Sequence, residues 1–149
     1  MAGYDVIIVG NGPAGLSAAL YTSRANLKTL VIGKDQGALA KAERIENYFG
    51  MAEPVSGCEL VENTKQQAKS LGAALVTDEI FHISWNQGFV LEGREGTYQA
   101  VSVLLATGSS RKKADIKGLA ELEGRGVSYC AICDAFFFRG RKVAVLGNE

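Results

Sequence analysis

Residues 4–15 read Tyr-Asp-Val-Ile-Ile-Val-Gly-Asn-Gly-Pro-Ala-Gly, so a short apolar run passes directly into a glycine-rich turn. The apolar run is rich in β-branched residues, which is typical of a buried parallel strand. Pro13 suits the first turn of a helix that follows, and residues 28–32 return to the composition of a strand. Strand, helix and strand within about thirty residues predict a βαβ unit.

The glycines of this turn fit the pattern G-x-G-x-x-G in the strand-to-helix context that dinucleotide binding requires. Gly10 permits the tight turn, Gly12 lets the backbone approach a pyrophosphate, and Gly15 allows close packing of the helix on the strand. Pro13 and Ala14 open the helix, whose first N–H groups can hold phosphates. The alternative interpretation is a glycine-rich turn without a ligand. The context favours a pyrophosphate site formed by these five residues.

The ribose end of such a site departs from the usual pattern. An acidic residue about twenty positions after the glycines usually holds the ribose hydroxyls. Here the second strand ends in Ile32-Gly33-Lys34-Asp35, with glycine where the acid is expected. Asp35 is therefore the candidate for the ribose contact, unless the ribose is held in another way.

The residues beyond this unit extend the sheet. Ser56 and Glu59 form a possible capping box ahead of a helix that ends at Gly72. Three strands with short turns between them occupy residues 80–105 and predict an antiparallel meander. The sequence thus predicts an α/β fold, in which a Rossmann-like parallel sheet carries an inserted meander.

A last strand is expected at residues 142–146, just ahead of Gly147. A parallel strand needs a crossover helix and a neighbouring strand, which do not follow here. We therefore expect residues 1–111 to be the N-terminal part of one domain and residues 112–149 to be the truncated start of a second, nucleotide-binding-like domain. On this interpretation the working protein is longer, or the chain is a fragment.

Charge and hydropathy exclude several classes of partner. Sixteen basic and sixteen acidic residues cancel among 149 residues, which argues against nucleic acid or an anionic membrane as the partner. No apolar stretch approaches the ~20 residues of a membrane span, and the N-terminus lacks the pattern of a secretory signal. We predict a cytoplasmic protein with a small-molecule or protein partner.

Residues 130–134 read Cys-Ala-Ile-Cys-Asp and contain the main chemical signal. Two thiols at this spacing can close a disulfide and reopen it by exchange, which moves two electrons. The carboxyl of Asp134 can then handle the proton. A chain with three cysteines and no secretory signal favours a catalytic or metal-binding pair and one spare thiol.

Zinc is the alternative for this pair. Cys58 and His82 could join Cys130 and Cys133 in a tetrahedral set, although Cys58 and His82 lack the spacing of common zinc motifs. We expect Cys58 to be a packed small apolar residue and predict no metal site.

Taken together, these motifs resemble the N-terminal half of the small, bacterial type of thioredoxin reductase. The resemblance covers essentially the whole chain. The matching stretches are residues 10–15, residues 24–28 (Arg-Ala-Asn-Leu-Lys), residues 45–50 (Ile-Glu-Asn-Tyr-Phe-Gly), residues 106–108 (Ala-Thr-Gly) and residues 124–129 (Gly-Arg-Gly-Val-Ser-Tyr) running into the dithiol.

The resemblance implies a flavin-dependent reductase that passes electrons from reduced FAD to the dithiol and on to a thioredoxin-like protein. It implies that Cys133 faces the flavin, that Cys130 exchanges with the partner disulfide, and that Asp134 donates the proton. It also implies a homodimer. The residues expected at FAD are Gly10, Gly12, Pro13, Ala14, Gly15, Asp35, Leu39, Asn47, Val76, Ala106, Thr107 and Gly108.

The resemblance leaves the electron donor open between NADPH and ferredoxin. Members that use NADPH carry a second glycine turn, but here Gly147 and Asn148 are followed by Glu149. A glutamate in place of the second glycine would put a side chain and a negative charge against the pyrophosphate. Some flavin-dependent members lack a working NADPH motif and take electrons from ferredoxin. A non-catalytic FAD-binding fragment or module is the remaining alternative.

Overall fold

The structure is a computed structural model that describes residues 3–109, 115–123 and 125–147, with only the backbone described at positions 132 and 133. The chain divides into two compact units, residues up to 110 and residues from 111 onward. Each unit is described by itself below.

The first unit is an α/β fold built on one six-stranded sheet with the strand order β3-β2-β1-β6-β5-β4. The strands β3, β2, β1 and β6 run parallel, whereas β5 and β4 continue the sheet in antiparallel pairing. In chain order the elements are β1 (Tyr4–Val9), α1 (Pro13–Arg24), β2 (Thr29–Gly33), a 3-10 turn (Leu39–Lys41), α2 (Gly57–Ser70), β3 (Ala74–Thr77), β4 (Ile80–Trp85), β5 (Phe89–Gly93) and β6 (Thr97–Leu105). The predicted βαβ unit and meander are confirmed.

Helices α1 and α2 supply the core on one face of the parallel strands. Helix α2 begins where the sequence predicts, since the Ser56 Oγ atom accepts a hydrogen bond from the Glu59 N–H at 3.1 Å. It is followed by Gly72, whose φ of 95° is in the left-handed region. The buried residues of this core are Val6, Ile8, Leu16, Ala19, Val31, Val61, Ala68 and Ala73.

Strand β6 joins the meander to the parallel strands. Its first residues pair with β5 and its later residues pair with β1, and Ala100 is the partner of both Phe89 and Tyr4. The meander thereby contributes to a second core cluster together with β1 and β2. The buried members of that cluster are Ile7, Val9, Leu30, Ile32, Leu91 and Ala100.

Asp78, between β3 and β4, anchors the turn between β5 and β6. Its buried carboxylate accepts hydrogen bonds from the N–H groups of Glu79, Arg94 and Glu95 and from the Tyr98 hydroxyl, at 2.7 to 3.3 Å. Burial alone would raise the pKa of Asp78, but these hydrogen bonds outweigh it and hold that pKa below its ordinary value. Burial, and then the Asp78 carboxylate, raise the pKa of Tyr98 to about 12.

The strand order reverses at β1. The strands β2 and β3 follow β1 toward one edge of the sheet, whereas β6 flanks its other side. Open α/β sheets bind ligands outside the carboxyl ends of their parallel strands, at the point where the strand order reverses. The glycine-rich turn lies at this end of β1.

In its described residues the second unit contains one helical turn, α3 (Ala131–Asp134), followed by a 3-10 turn (Ala135–Phe138). The strand predicted at residues 142–146 is wrong, because this segment is irregular and leaves Val143, Val145 and Leu146 exposed. A strand requires a hydrogen-bonding neighbour, and the described part of this unit offers it none.

Across the ranges that the structure describes, no helix combines the length and the apolar character needed to cross a membrane.

Candidate functional site

Gly10 is held between the ends of two strands. Its N–H donates to the Ile32 carbonyl at 2.7 Å, and the Ala106 N–H donates to the Val9 carbonyl at 2.8 Å. A Cβ atom at position 10 would lie 2.0 Å from the Ala106 carbonyl oxygen, and the φ of Gly10 is 118°. Only glycine satisfies both conditions. The segment of residues 106–108 therefore begins in close contact with the glycine turn.

The two other glycines of the turn differ sharply in their surroundings. A Cβ on Gly15 would lie 1.9 Å from the Gly10 carbonyl oxygen, whereas a Cβ on Gly12 would meet no protein atom within 4 Å. Gly15 is therefore required by packing. Gly12 is not, and the space beside it is open to a ligand.

The N-terminus of α1 points an unneutralised positive dipole toward this open space. The N-cap residue is Gly12, which provides no side-chain cap, and the first turn contains no acidic residue. Pro13 has no N–H group, so the N–H groups of Ala14 and Gly15 are the donors available at this end. An anionic group such as a pyrophosphate fits this arrangement.

The loop after β2 lies beside the glycine turn. A Cβ on Gly37 would be 3.9 Å from the Gly12 Cα atom, and the Gly37 N–H donates to the Asp35 Oδ1 atom at 2.7 Å. One carboxylate oxygen of Asp35 thus stabilises the conformation of the loop that contains it. An open cavity of about 360 Å³ is lined by Asp35, Gln36, Gly37, Ala40 and Lys41.

Asn11 is a residue of this site that the sequence interpretation missed. Its carboxamide occupies the place that a side chain at position 33 would need, because a Cβ on Gly33 would lie 2.1 Å from the Asn11 Cγ atom. Asn11 also lines a second cavity together with Val76, which pairs with Ile32. The available signal was a polar residue inside the glycine pattern, at the end of a buried strand.

Two other predicted cofactor residues lie in the segment before α2. Leu39 is in the 3-10 turn, and its carbonyl oxygen would be 1.8 Å from a Cβ on Gly57. Asn47 is exposed in a loop that is closed by reciprocal hydrogen bonds between Ile45 and Val55, at 2.8 and 3.1 Å. These contacts fix the base of the loop and leave Asn47 on its surface.

Cys130 is disulfide-bonded, whereas Cys58 is free and exposed. The side chain of Cys133 lies outside the described residues. The expectation that Cys58 is packed is wrong, because the buried stripe of α2 includes Gly57, Leu60 and Val61, and position 58 points away from it. A sulfur in a disulfide is no thiolate ligand, which favours the redox hypothesis over zinc.

Ser128 and Asp134 bound the segment that contains the two cysteines, residues 128–134, which we call the dithiol turn. The Ser128 Oγ atom accepts a hydrogen bond from the Cys130 N–H at 3.1 Å and donates one to the Asp134 Oδ2 atom. The Asp134 N–H donates to the Cys130 carbonyl at 3.0 Å. The sequence interpretation missed Ser128, whose only signal was a serine two residues ahead of the first cysteine.

Within the described residues, no group of three or more histidine, cysteine or acidic side chains is arranged to hold a metal ion. Asn148 and Glu149, which bear on the choice of electron donor, lie outside the described residues.

Three known proteins show how far the likeness to this chain extends. A thioredoxin reductase of Treponema pallidum (strain Nichols) is 50% identical over 148 residues, covering 97% of this chain and 48% of that protein. A bifunctional thioredoxin reductase/thioredoxin of Mycobacterium leprae (strain TN) is 43% identical over 97% of this chain and 32% of that protein. The structure of a thioredoxin reductase from Giardia duodenalis matches with a TM-score of 0.84 and 33% identity, over 91% of this chain and 45% of that one.

The chain thus spans about half the length of the Treponema relative. Residues 4–148 match the family model described as pyridine nucleotide-disulphide oxidoreductase, whose members are FAD-dependent flavoproteins. The match takes in the glycine turn, the whole sheet and the dithiol turn, and the chain therefore belongs to the pyridine nucleotide-disulphide oxidoreductase family.

Proposed function

We propose that this chain carries the FAD site and the redox dithiol of a thioredoxin reductase. The observation that supports the proposal most strongly is Cys130, which is in a disulfide and is hydrogen-bonded through its backbone to Asp134 and Ser128. Exchange needs a thiolate and a disulfide, and an acid–base group beside them can protonate the thiolate that leaves.

The glycine turn is the part of the chain suited to FAD. The Ala14 and Gly15 N–H groups and the dipole of α1 would hold the pyrophosphate beside Gly12. Asp35 would accept from the ribose hydroxyls through the carboxylate oxygen that its own loop leaves available. The other predicted contacts are Leu39, Asn47, Val76, Ala106, Thr107 and Gly108. When bound, FAD supplies a carrier that holds two electrons.

The dithiol transfers those two electrons by exchange. The Cys130 thiolate attacks one sulfur of the partner disulfide, and the other partner sulfur leaves and takes a proton from the Asp134 carboxyl. The Cys133 thiol then gives its proton to the Asp134 carboxylate as its sulfur attacks Cys130, which displaces the second partner thiolate. That thiolate takes the proton that Cys130 had lost to water. The products are the Cys130–Cys133 disulfide and two partner thiols.

A thioredoxin-type protein is the proposed partner. The Mycobacterium leprae relative is a thioredoxin reductase and a thioredoxin in one protein, which supports exchange between these two kinds of protein. The donor is NADPH or ferredoxin. The homodimer and the cytoplasmic location stay predictions.

Turnover of variants tests the proposal. We expect the chain to bind FAD and to reduce oxidised thioredoxin with NADPH or with reduced ferredoxin, and Cys133→Ser to abolish that reduction. Cys58→Ser is the matched control, because Cys58 is free and exposed, and it should retain the wild-type rate. Reduction of thioredoxin at an unchanged rate by Cys133→Ser would show the dithiol mechanism to be wrong.

The half-length match to the relatives favours a second candidate, a non-catalytic FAD-binding fragment. This candidate predicts bound FAD without thioredoxin reduction from either donor. Fusing the chain to the C-terminal half of a relative would then restore turnover that depends on Cys130 and Cys133.

A further inference from the structure

Ser128 links both ends of the dithiol turn. Its hydroxyl accepts from the Cys130 N–H at 3.1 Å and donates to the Asp134 Oδ2 atom. The Asp134 N–H donates back to the Cys130 carbonyl at 3.0 Å. The three residues thus form a ring of hydrogen bonds. The backbone of Asp134 is bonded to Cys130 directly, and its carboxylate is linked to Cys130 through the Ser128 hydroxyl.

From this ring we propose that Ser128 is a positioning residue for thiol–disulfide exchange, and that it acts by aiming the Asp134 carboxyl. The inference rests on the proposed function, because it takes Asp134 as the proton donor. Ser128 itself touches neither a reacting sulfur nor the partner in this scheme.

The carboxyl of Asp134 needs such a restraint. Asp134 is only half-buried at the end of a helical turn of four residues, so few packing contacts limit its rotamers. A hydrogen bond to a carboxylate is stronger than one between neutral groups and fixes its orientation. Among the hydrogen bonds described, Ser128 engages Oδ2 and none engages Oδ1, which leaves Oδ1 to exchange the proton.

The effect depends on how much the leaving sulfur needs a proton. An aliphatic thiolate is a poor leaving group and gains from protonation, whereas an aromatic nitrothiolate leaves readily without it. A badly aimed Asp134 carboxyl therefore slows exchange with an aliphatic disulfide selectively. Damage to the turn as a whole would slow exchange with both kinds of disulfide.

The test uses the 149-residue chain in a Cys58→Ser background, reduced chemically, freed of reductant and mixed with bis(hydroxyethyl) disulfide or with dithiobisnitrobenzoate. Re-formation of the dithiol-turn disulfide is followed by rapid alkylation and intact mass. We expect Ser128→Ala to slow exchange with the aliphatic disulfide about tenfold and exchange with the aromatic disulfide by less than about twofold. Ser128→Thr, which keeps the hydroxyl, should stay within about twofold of the serine chain in both reactions.

A double-mutant cycle completes the test. In an Asp134→Asn background, Ser128→Ala should cause no further loss with the aliphatic disulfide. Equal slowing of both disulfides, an equal loss in the Asp134→Asn background, or a threonine variant as slow as the alanine variant would each overturn the proposal. These assays use neither FAD nor an electron donor, so a negative result is distinct from failure of the chain to bind FAD or to turn over.

Discussion

The Asn11 carboxamide fills the space beside Gly33, where a Cβ atom would lie 2.1 Å from the Asn11 Cγ atom. A side chain at position 33 would therefore require the Asn11 carboxamide, the end of a flexible side chain, to move. The usual position of the ribose-binding acid is thus taken by a glycine beside Asn11, and the next carboxylate along the chain is that of Asp35, two residues on.

Gly33→Ala should consequently destabilise the chain by about 1 kcal/mol, because the Asn11 carboxamide has to rotate away from the new methyl group. The backbone of Gly33 is not left-handed, so the clash with Asn11 accounts for the loss. In an Asn11→Ala background, which removes the obstructing atoms, the same change should cost less than half as much in urea unfolding. An undiminished cost in that background would contradict the assignment.

Gly12→Ala should separate FAD binding from folding. An alanine Cβ at position 12 meets no protein atom within 4 Å, so the chain should lose no more than the roughly 1 kcal/mol that alanine costs at an N-cap. The methyl group would project into the space proposed for the pyrophosphate, and the Kd for FAD should rise at least about tenfold. Gly96→Ala is the matched control, because its Cβ is equally unobstructed and lies in the turn between β5 and β6. Equal FAD affinity in both variants would place the pyrophosphate elsewhere.

Asp78→Asn should remove a contribution to stability that depends on pH. The hydrogen bonds that hold the pKa of Asp78 below its ordinary 3.8 favour the carboxylate, so the contribution is present above about pH 4 and is lost as the pH falls through the folded-state pKa. An amide would also turn an N–H group toward N–H donors. We expect a melting temperature about 5 °C lower near neutral pH, with the difference from wild type shrinking in acid. A difference that is constant with pH would be inconsistent with this role.

Tyr98→Phe tests the same hydrogen bond from the alkaline side. The pKa of Tyr98 is raised from 10.0 to about 12, so the protonated hydroxyl contributes stability that is fully present below about pH 10 and is lost as the pH rises toward 12. The wild type should therefore be more stable than Tyr98→Phe near neutral pH, and the gap should close in strong alkali. Absorbance of the tyrosinate band, compared between the two chains, should assign the late-titrating group to Tyr98.

Ser56→Ala should destabilise α2 by about 1 kcal/mol through loss of its N-cap, which corresponds to about 3 °C in melting temperature for a chain of this size. Ser70, at the other end of the same helix, gives the control. In the part of the chain that the structure describes, its hydroxyl donates to the exposed Gln67 carbonyl alone, so Ser70→Ala should change the melting temperature by less than about 1 °C. Similar losses in the two variants would rule out a specific capping effect.

Local patterns were sufficient to predict much of the fold. Periodicity and turn residues predicted β1, α1 and the meander, and the Ser56 cap appeared as expected. The strand at residues 142–146 was wrong because an apolar run has strand propensity, whereas strand formation depends on a neighbour that local sequence does not reveal. The prediction that Cys58 is packed was wrong because it rested on the apolar character of cysteine, whereas position 58 lies off the buried face of α2.

The two residues missed at the candidate sites share one cause. Asn11 acts on Gly33 and Ser128 acts on Asp134, across gaps of 22 and 6 positions. Hydrogen-bond partners and steric exclusions of this kind depend on how the chain folds back on itself, and no single-sequence pattern encodes them. The glycine turn was predictable because the positive φ of Gly10 and the close approach of Gly15 to Gly10 are local, although Gly10 is also confined by Ala106.

Ala100 pairs with residues of both neighbouring strands, with Phe89 of β5 on one side and with Tyr4 of β1 on the other. The strand that carries it ends at Leu105, and the carbonyl of the next residue, Ala106, lies against Gly10. Separation of β5 from β6 would therefore loosen the far end of the same strand, where the glycine turn is held. We expect amide protons in the meander and at the glycine turn to exchange with solvent deuterium as one cooperative unit. A destabilising substitution in the meander would then increase local opening at the glycine turn, where the nucleotide is proposed to bind.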